Sequence, residues 1–593
     1  MPLTASGKAD RKALPAPEGE METGVAYAAP TTEMEKRLVE LWSELLQRER
    51  VGVDDDFFAI GGHSLKAATL AARLHQEFHC RLAMRDIFRY PTLRGMAELL
   101  EQSAAMAGED RHERIPRMAE QAHYPLSSAQ NRLFVLQAMD RQSTAYHLPT
   151  AIRITGPLDR AKLLLAIRTL SERHETLRTS FEWVEGAPMQ RVWDEPIPEI
   201  EYEVQQEADP DVCLREFVRP FDLDRSPLFR VKLIRRTAQD HLLLMDMHHL
   251  IADGVSTAAL AEQFVRLYEG QRLDALPVQY KDYAAWQTDW LGGAESREQE
   301  RYWLAQLAGE APTLQLPTDY DRPARLEYAG DSVFVSMGAD LTGQMKAQGS
   351  RTGTTLYMAL LGLFATLLQR YSGQPEIWIG SPVAGRPHAD LAELIGMFVN
   401  TIVLRNRIEG SRTFAELLQE VKATVIGALD HERYPFEELV DKLGVRRDTS
   451  RNPLFDVMFV LQNTGAGEVG TNQTRFEPLE NRRTTAKFDL TLEVVEKDGE
   501  LRCHFEYRTS LFRRETVERM ARHFLRLAEQ AASDPEQRLN DISLLTEEER
   551  RQVVETFNAT EAPFPSELTL PELFRRQAER TPDRIAAVFG AER

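Results

Sequence analysis

Two short stretches carry residue types that do chemistry. Residues 60–67, IGGHSLKA, set Ser64 between a glycine pair and the start of an apolar helix, just after the acidic run Asp54-Asp55-Asp56. A helix N-terminus offers unpaired N–H groups and the positive end of its dipole, so a phosphodiester on Ser64 is well placed there. An ordinary N-cap serine fits the same position, and this stretch alone leaves both readings open. The second stretch, HHLIADG at 248–254, ends an apolar run, HLLLMDMHH, that reads as a buried strand. Adjacent side chains on a strand point to opposite faces. His248 and His249 therefore diverge, and only one faces a given pocket. With no further ligand cluster nearby, that divergence argues against a metal site. Asp253 and Gly254 follow in a loop, before a helix that starts near Val255.

The elements around Ser64 make a small helical unit. Thr32 and Glu35 have capping-box spacing, and Met34, Leu38, Leu41, Trp42, Leu45 and Leu46 then recur with helical period. A second helix runs from Ser64 to about Phe78; the turn AMRDIF and the helix TLRGMAELLEQ close the unit near residue 103. The pattern after a charged stretch, 104–119, is mixed α/β. TAIRITG, FRVKLIR and HLLLMDMHH read as strands, LDRAKLLLAIRTLSERH and VSTAALAEQFVRLYEG as helices. A second α/β stretch from about 296 to 545 has strands SVFVSM, IWIGSPV, NTIVLRN and FDVMFVLQ, and a hairpin that turns at Asp498-Gly499. The segment 546–593 holds a charged helix, the Pro-rich NATEAPFPSE and LPELFRRQAERTPDRIAAVFG.

Composition narrows the function classes. The 593 residues suggest roughly four domains. With 72 basic against 92 acidic residues the formal charge is −20, which speaks against a nucleic-acid or anionic-membrane surface. Cys80, Cys213 and Cys503 are far apart and odd in number, so no disulfide framework is expected. No apolar run approaches the roughly 18 residues of a membrane span, and the N-terminus has no signal-peptide pattern. The expected location is cytoplasmic.

The stretch DDFFAIGGHSLKA, on the helical unit 30–103, resembles the attachment site of peptidyl carrier proteins, the thiolation domains of nonribosomal peptide synthetases. The resemblance implies that Ser64 receives 4′-phosphopantetheine from a phosphopantetheinyl transferase, and the histidine before it resembles carriers that feed condensation domains. HHLIADG matches the HHxxxDG signature of condensation domains, in the chloramphenicol-acetyltransferase-like superfamily. SSAQNRLFVL, RHETLRTSF and YKDYAAW resemble the family's N-terminal half; IGMFVNTIVLR, HERYPFEEL and RRDTSRNPLF resemble its C-terminal half. PLTASGKADRKALP, with Lys8, resembles the end of an adenylation domain, and 546–593 the start of the next.

The fold this implies is multidomain. A small all-α four-helix carrier bundle precedes an α/β condensation domain of two chloramphenicol-acetyltransferase-like lobes. The expected boundaries are 1–16 adenylation tail, 17–29 linker, 30–103 carrier, 104–119 linker, 120–293 first lobe, 294–545 second lobe and 546–593 linker with the next adenylation start. A tunnel between the lobes would bring a donor arm and an acceptor arm to HHLIADG from opposite sides. The reaction implied is aminolysis: an amine on an acceptor carrier attacks a donor thioester and a peptide bond forms.

A free α-amino group has a pKa of about 7.7–8, so freeing it near pH 7 costs only about 1 kcal/mol. The nitrogen becomes acidic as it bonds to carbon, and His249 suits the role of accepting that proton or holding the amine in line. His248 is the structural member of the pair. Asp253 orients the loop; as a buried carboxylate it needs a partner, with Arg178 the first candidate and Arg386 the second. The Gly254 N–H is placed to stabilise an oxyanion, and Asn400 is a candidate for lining the tunnel. Partners implied are aminoacyl or peptidyl thioesters, the flanking adenylation domains and a downstream acceptor carrier; the fragment is expected to be a monomer.

Domain order and the GGHS form imply an L-configured donor and acceptor. The chain alone is expected to hold a donor and to need a supplied acceptor. Rival readings are an epimerase, a heterocyclising domain or a free-standing acyltransferase of the same superfamily, and a carrier scaffold whose condensation half is inactive.

Overall fold

The computed structural model describes residues 27–590 apart from 63, 79, 81, 107–113, 195–199, 446–447, 463–468, 471–473 and 480–483. The expected adenylation tail with Lys8, most of the 17–29 linker, His63, part of the 104–119 linker and the Arg446-Arg447 pair lie outside the described residues. The chain divides into two compact units, one ending at Ile542 and one of Ser543–Arg593.

The first unit opens with four helices: α1 (Glu33–Leu46), α2 (Ser64–Phe78), α3 (Met84–Arg89) and α4 (Leu93–Met106). Thr32 caps α1: its hydroxyl accepts the Glu35 N–H at 3.1 Å, and Glu35 Oε2 accepts the Thr32 N–H at 3.0 Å. Leu38, Trp42, Leu70, Leu74, Ile87, Leu93 and Leu100 are buried between the helices, with Phe57 edge-on to Trp42 at 5.1 Å. The acidic run is used locally. Asp54 pairs with Arg94 at 2.9 Å, Asp55 accepts the Gly52 N–H at 2.7 Å, and Asp56 accepts those of Phe58 and Ala59 at 2.8 and 3.1 Å. Gly62 donates to the Phe57 carbonyl at 2.7 Å, and a Cβ on it would meet the Phe57 ring at 2.3 Å. Only glycine fits there, and this tight pass delivers the chain to Ser64 at the first position of α2.

Next come β1 (Tyr124–Pro125), α5 (Ser128–Met139), β2 (Thr150–Thr155), α6 (Arg160–Arg173), β3 (Thr179–Val184), β4 (Ala187–Val192), β5 (Ile200–Val204), α7 (Pro210–Phe217), β6 (Phe229–Arg235), β7 (Asp240–Met247), α8 (Gly254–Tyr268), α9 (Tyr280–Leu291) and α10 (Ala294–Gln306). The rest of the unit adds β8 (Gly330–Met337), α11 (Ala339–Thr352), α12 (Leu356–Ser372), β9 (Glu376–Val383), β10 (Asn400–Arg407), α13 (Phe414–Asp430), α14 (Phe436–Leu443), β11 (Val457–Gln462), β12 (Val469–Gly470), β13 (Arg475–Pro478), β14 (Leu490–Lys497), β15 (Glu500–Arg508) and α15 (Arg514–Ser533). The second compact unit holds α16 (Glu547–Arg551) and α17 (Leu570–Arg580).

Two six-stranded sheets carry the two lobes. The first has the order β12-β13-β2-β7-β6-β5, the second β10-β9-β11-β14-β15-β8. In the first, β7 lies between β2 and β6, antiparallel to both, and its burial explains the apolar run Leu242–Met245. In the second, β11 runs parallel to β9 and β14, and the expected hairpin β14–β15 turns through Asp498 and Gly499, both at positive φ. The lobes are not cleanly divided along the chain. β13, from the second stretch, pairs antiparallel with β2 in the first lobe's sheet, Phe476 opposite Ile154. α12 is apolar on every side because it packs among α11, α13 and α15. Among the described residues, no single helix is long and apolar enough to cross a membrane.

Gly62→Ala is expected to cost about 1–3 kcal/mol by overpacking against Phe57. Amide exchange of α1 and α2 measures it: protection should fall in these helices alone, and unchanged protection would mean that Phe57 yields.

Candidate functional site

β7 stops at Met247, so the histidine pair leaves the strand rather than ending it. His248 makes an isolated antiparallel bridge to His147 and donates its N–H to the Leu228 carbonyl at 3.0 Å; the His249 N–H goes to the Tyr146 carbonyl at 2.8 Å. The two side chains diverge as expected. His248 is fully buried, edge-on to the His147 ring at 5.7 Å. Its Nδ1 accepts the Leu250 N–H at 3.1 Å, which puts the ring proton on Nε2, facing Gln137 Oε1 at 3.3 Å. Burial pushes its pKa down to about 3, with His147 and Lys487 adding to the effect. It is a neutral strut under the turn.

His249 is half-buried. Its Nδ1 lies 3.1 Å from the Ala252 carbonyl, which can only accept, so Nδ1 carries the proton and Nε2 keeps a free lone pair. Burial first, then Lys487 and His248, hold its pKa well below the usual imidazole value. The geometry offers one neutral base atom, fixed in orientation by the turn it belongs to.

Asp253 is fully buried and clasps the two lobes. Oδ1 accepts the Ser256 N–H at 2.7 Å, capping α8. Oδ2 accepts the N–H groups of Phe398 and Val399 at 2.9 and 3.2 Å. The cation facing it is Arg386, with Nη2 3.6 Å from Oδ1. Arg386 also donates to Ser256 Oγ at 2.8 Å and to the Leu394 carbonyl at 2.8 Å, and lies 4.2 Å over the Phe398 ring. The first-choice partner, Arg178, is elsewhere. It ends a 3-10 turn, Glu175–Arg178, where it donates to the Trp193 carbonyl at 2.5 Å and lies 3.8 Å from Glu175. The β3–β4 hairpin has taken its guanidinium.

Gly254 is exposed at the first position of α8, where its N–H has no intrahelical acceptor. A Cβ there would meet nothing within 4 Å, so the glycine keeps the space before the helix clear. Asn400 is committed to backbone. Its Nδ2 donates to the carbonyls of Glu432 and Tyr434 at 2.8 and 2.7 Å, and its Oδ1 accepts the Phe436 N–H at 3.0 Å. It also lines an open pocket with Trp286, Trp290, Val399, Glu432 and Arg433.

A buried group beside the turn escaped the sequence reading. His147 Nδ1 lies 3.1 and 3.0 Å from the two oxygens of Asp246, Arg230 lies 3.5 Å from the same carboxylate, and the Arg230 guanidinium covers Phe221 at 3.6 Å. The signal was present. An aspartate inside the apolar run LLLMDM must have buried partners. Among the described residues no group of three His, Cys, Asp or Glu converges as a metal site, and Cys80, Cys213 and Cys503 are buried.

The carrier helices rest on the second lobe close to this pocket. α2 packs on the 3-10 turn Ala389–Leu391, α3 packs on α13, and the Arg85 N–H donates to Asp430 Oδ1 at 3.2 Å.

Residues 120–554 match the family model described as Condensation domain, and residues 36–100 the model described as Phosphopantetheine attachment site. The chain is 40% identical over 591 residues to gramicidin S synthase 2 of Brevibacillus brevis and 41% identical over 592 residues to surfactin synthase subunit 1 of Bacillus subtilis (strain 168). These alignments cover 99% and 100% of the chain but 13% and 16% of those relatives, so the chain spans less than a fifth of their length. Among solved structures it is similar to a four-domain nonribosomal peptide synthetase bound to AMP and glycine, with TM-score 0.71 and 21% identity over 79% of this chain and 37% of that one. It is also similar to the X-domain from teicoplanin biosynthesis, with TM-score 0.68 and 25% identity over 73% of this chain and 100% of that one.

Removing one partner of a buried pair strands the other, at a typical cost of about 3–5 kcal/mol. Arg386→Ala is expected to show that loss in chemical denaturation, and Arg178→Ala far less. The reverse ranking would move the partner of Asp253 back to Arg178.

Proposed function

Since the chain belongs to the condensation-domain family and carries a phosphopantetheine-attachment unit ahead of it, we propose that it forms peptide bonds as a carrier–condensation fragment of a nonribosomal peptide synthetase. Ser64 holds the donor, and an amine on a second carrier is the acceptor. The observation that carries this reading is the His249 tautomer: with Nδ1 bound to Ala252, Nε2 is left as the one oriented lone pair of the turn.

Ser64 fits the prosthetic group. It opens a helix of 15 residues whose first N–H groups have no intrahelical acceptor, which suits a phosphodiester. When bound, 4′-phosphopantetheine supplies a thiol that carries the acyl group as a thioester. The contacts of α2 and α3 with Ala389–Leu391 and Asp430 support docking of this carrier on the second lobe.

His249 Nε2 takes the proton from the amine nitrogen as that nitrogen bonds the acyl carbon; the acyl–sulfur bond would then break, and the proton would leave with the donor sulfur as a thiol. A weak base suffices, because the nitrogen is acidic by then. The Gly254 N–H, at the positive end of α8, faces the charge that develops on the acyl oxygen. Asp253 and Arg386 hold the two lobes in register around the turn, and His248 and Asn400 support backbone. Domain order favours an L-donor and an L-acceptor. A phosphopantetheinyl transferase, the flanking adenylation domains and a downstream carrier are the partners this role requires.

The test is product formation by mass spectrometry, with Ser64 loaded and an aminoacyl-loaded acceptor carrier supplied. The native chain should form the product, and His249→Ala should lower the rate by about 10²–10⁴-fold, the span of general-base catalysis. Equal rates would take His249 out of the mechanism, and no product from a loaded native chain would favour a carrier scaffold. The pH profile follows from the burial of His249. It stays neutral through the working range, so the rate should fall as pH drops through the acceptor amine's pKa, about 7.7–8. A fall that begins only near 6.5 would assign the acid limb to a histidine.

A further inference from the structure

Lys487 sits in the second lobe just before β14, and its backbone is gripped from several sides. Its carbonyl accepts from Arg508 Nη2 at 2.6 Å and Asn452 Nδ2 at 3.1 Å, and the neighbouring Ala486 N–H donates to the Tyr328 carbonyl at 2.8 Å. Two residues on, Asp489 accepts from Arg508 at 3.0 Å and from Arg322 at 3.1 Å. From this fixed base the side chain crosses to the first lobe, where its ammonium lies 5.0 Å from the centroid of the Tyr146 ring. Tyr146 is the residue whose carbonyl holds the His249 N–H at 2.8 Å. A positive charge is thus held beside the histidine turn by residues of the opposite lobe.

Behind Lys487 the charges pair off, Arg322 and Arg508 with Asp489 and Arg451 with Asp456, and Asp448 acts on Arg322 and Arg451 as well. After burial, the largest charge effects on His249 come from Lys487 of the second lobe, then His248 of its own turn and His147, all cationic when protonated.

We propose that Lys487 is a positioning residue of the transfer site: its ammonium, reaching across the lobes to Tyr146, bars a second positive charge from the space around His249 and so keeps the imidazole in its neutral, proton-accepting form. This rests on the reading of His249 as the group beside the reacting amine. Like charges at close range disfavour one another's charged form, and only a neutral imidazole has a lone pair with which to accept a proton. A lysine that served only to staple the lobes through Tyr146 would leave protonation at the turn unchanged.

The experiment is an NMR titration of His249 in the full chain with labelled histidine, in the native protein, Lys487→Met, Lys487→Gln and Lys487→Arg. Burial lowers the His249 pKa in all four, but the Lys487 charge should lower it further only in the native chain and Lys487→Arg. In Lys487→Met and Lys487→Gln the midpoint should move up toward 6.5, while the exposed-histidine signals stay in place and report an intact fold. The same shift should appear in transfer kinetics as an added acid limb, with Lys487→Arg restoring the native profile. His249 midpoints that coincide in all folded variants would overturn the proposal. The titration needs no turnover, so a native chain that makes no peptide contradicts the proposed reaction without deciding the role of Lys487.

Discussion

The buried carboxylate of Asp253 is the constraint on which the rest of the site depends. A carboxylate with no exposed surface has to be matched group for group. Here the match comes from both lobes: the Ser256 N–H at the start of α8, the Phe398 and Val399 N–H groups of the facing loop, and Arg386. Satisfying one side chain therefore fixes α8, the loop after β9 and the lobe-to-lobe register together. The histidine turn precedes Asp253 by four residues, so it inherits that register. With Ala252 held, its carbonyl fixes the His249 ring and leaves Nε2 free. In the proposed mechanism Asp253 acts on the chemistry through geometry and takes no part in proton transfer.

The two histidines show how one environment gives adjacent residues different work. Both are neutral because burial disfavours the imidazolium. His248 spends both ring nitrogens on the protein, one on Leu250 and one on Gln137. His249 spends one and keeps the other. The difference lies in which way each ring faces as the chain leaves β7, and in the proposed mechanism it separates a structural group from a reactive one.

Local signals were legible in the sequence and long-range ones were not. The Thr32–Glu35 box, the Ser64 helix and the Asp498-Gly499 turn each depend on a few neighbouring residues, and all three stand where the pattern put them. The divergence of His248 and His249 followed from strand geometry and holds although the strand stops two residues earlier. The choice between Arg178 and Arg386 depended on which loop of a distant segment reaches α8, and no period or spacing records that. The pairing of β13 with β2 was hidden for the same reason: a strand of four residues gives almost no periodic signal, and its partner lies more than three hundred residues earlier. The site's residue types were legible; the lobe-to-lobe partners required the fold.

The central claim is that the turn holds His249 as a neutral imidazole with its proton on Nδ1. Long-range nitrogen–hydrogen correlation NMR on the histidine-labelled chain at pH 7 tests it most directly. The account predicts a protonated Nδ1 and a bare Nε2 for His249, with the opposite tautomer for His248. A His249 that carries its proton on Nε2, or is charged at that pH, would contradict it.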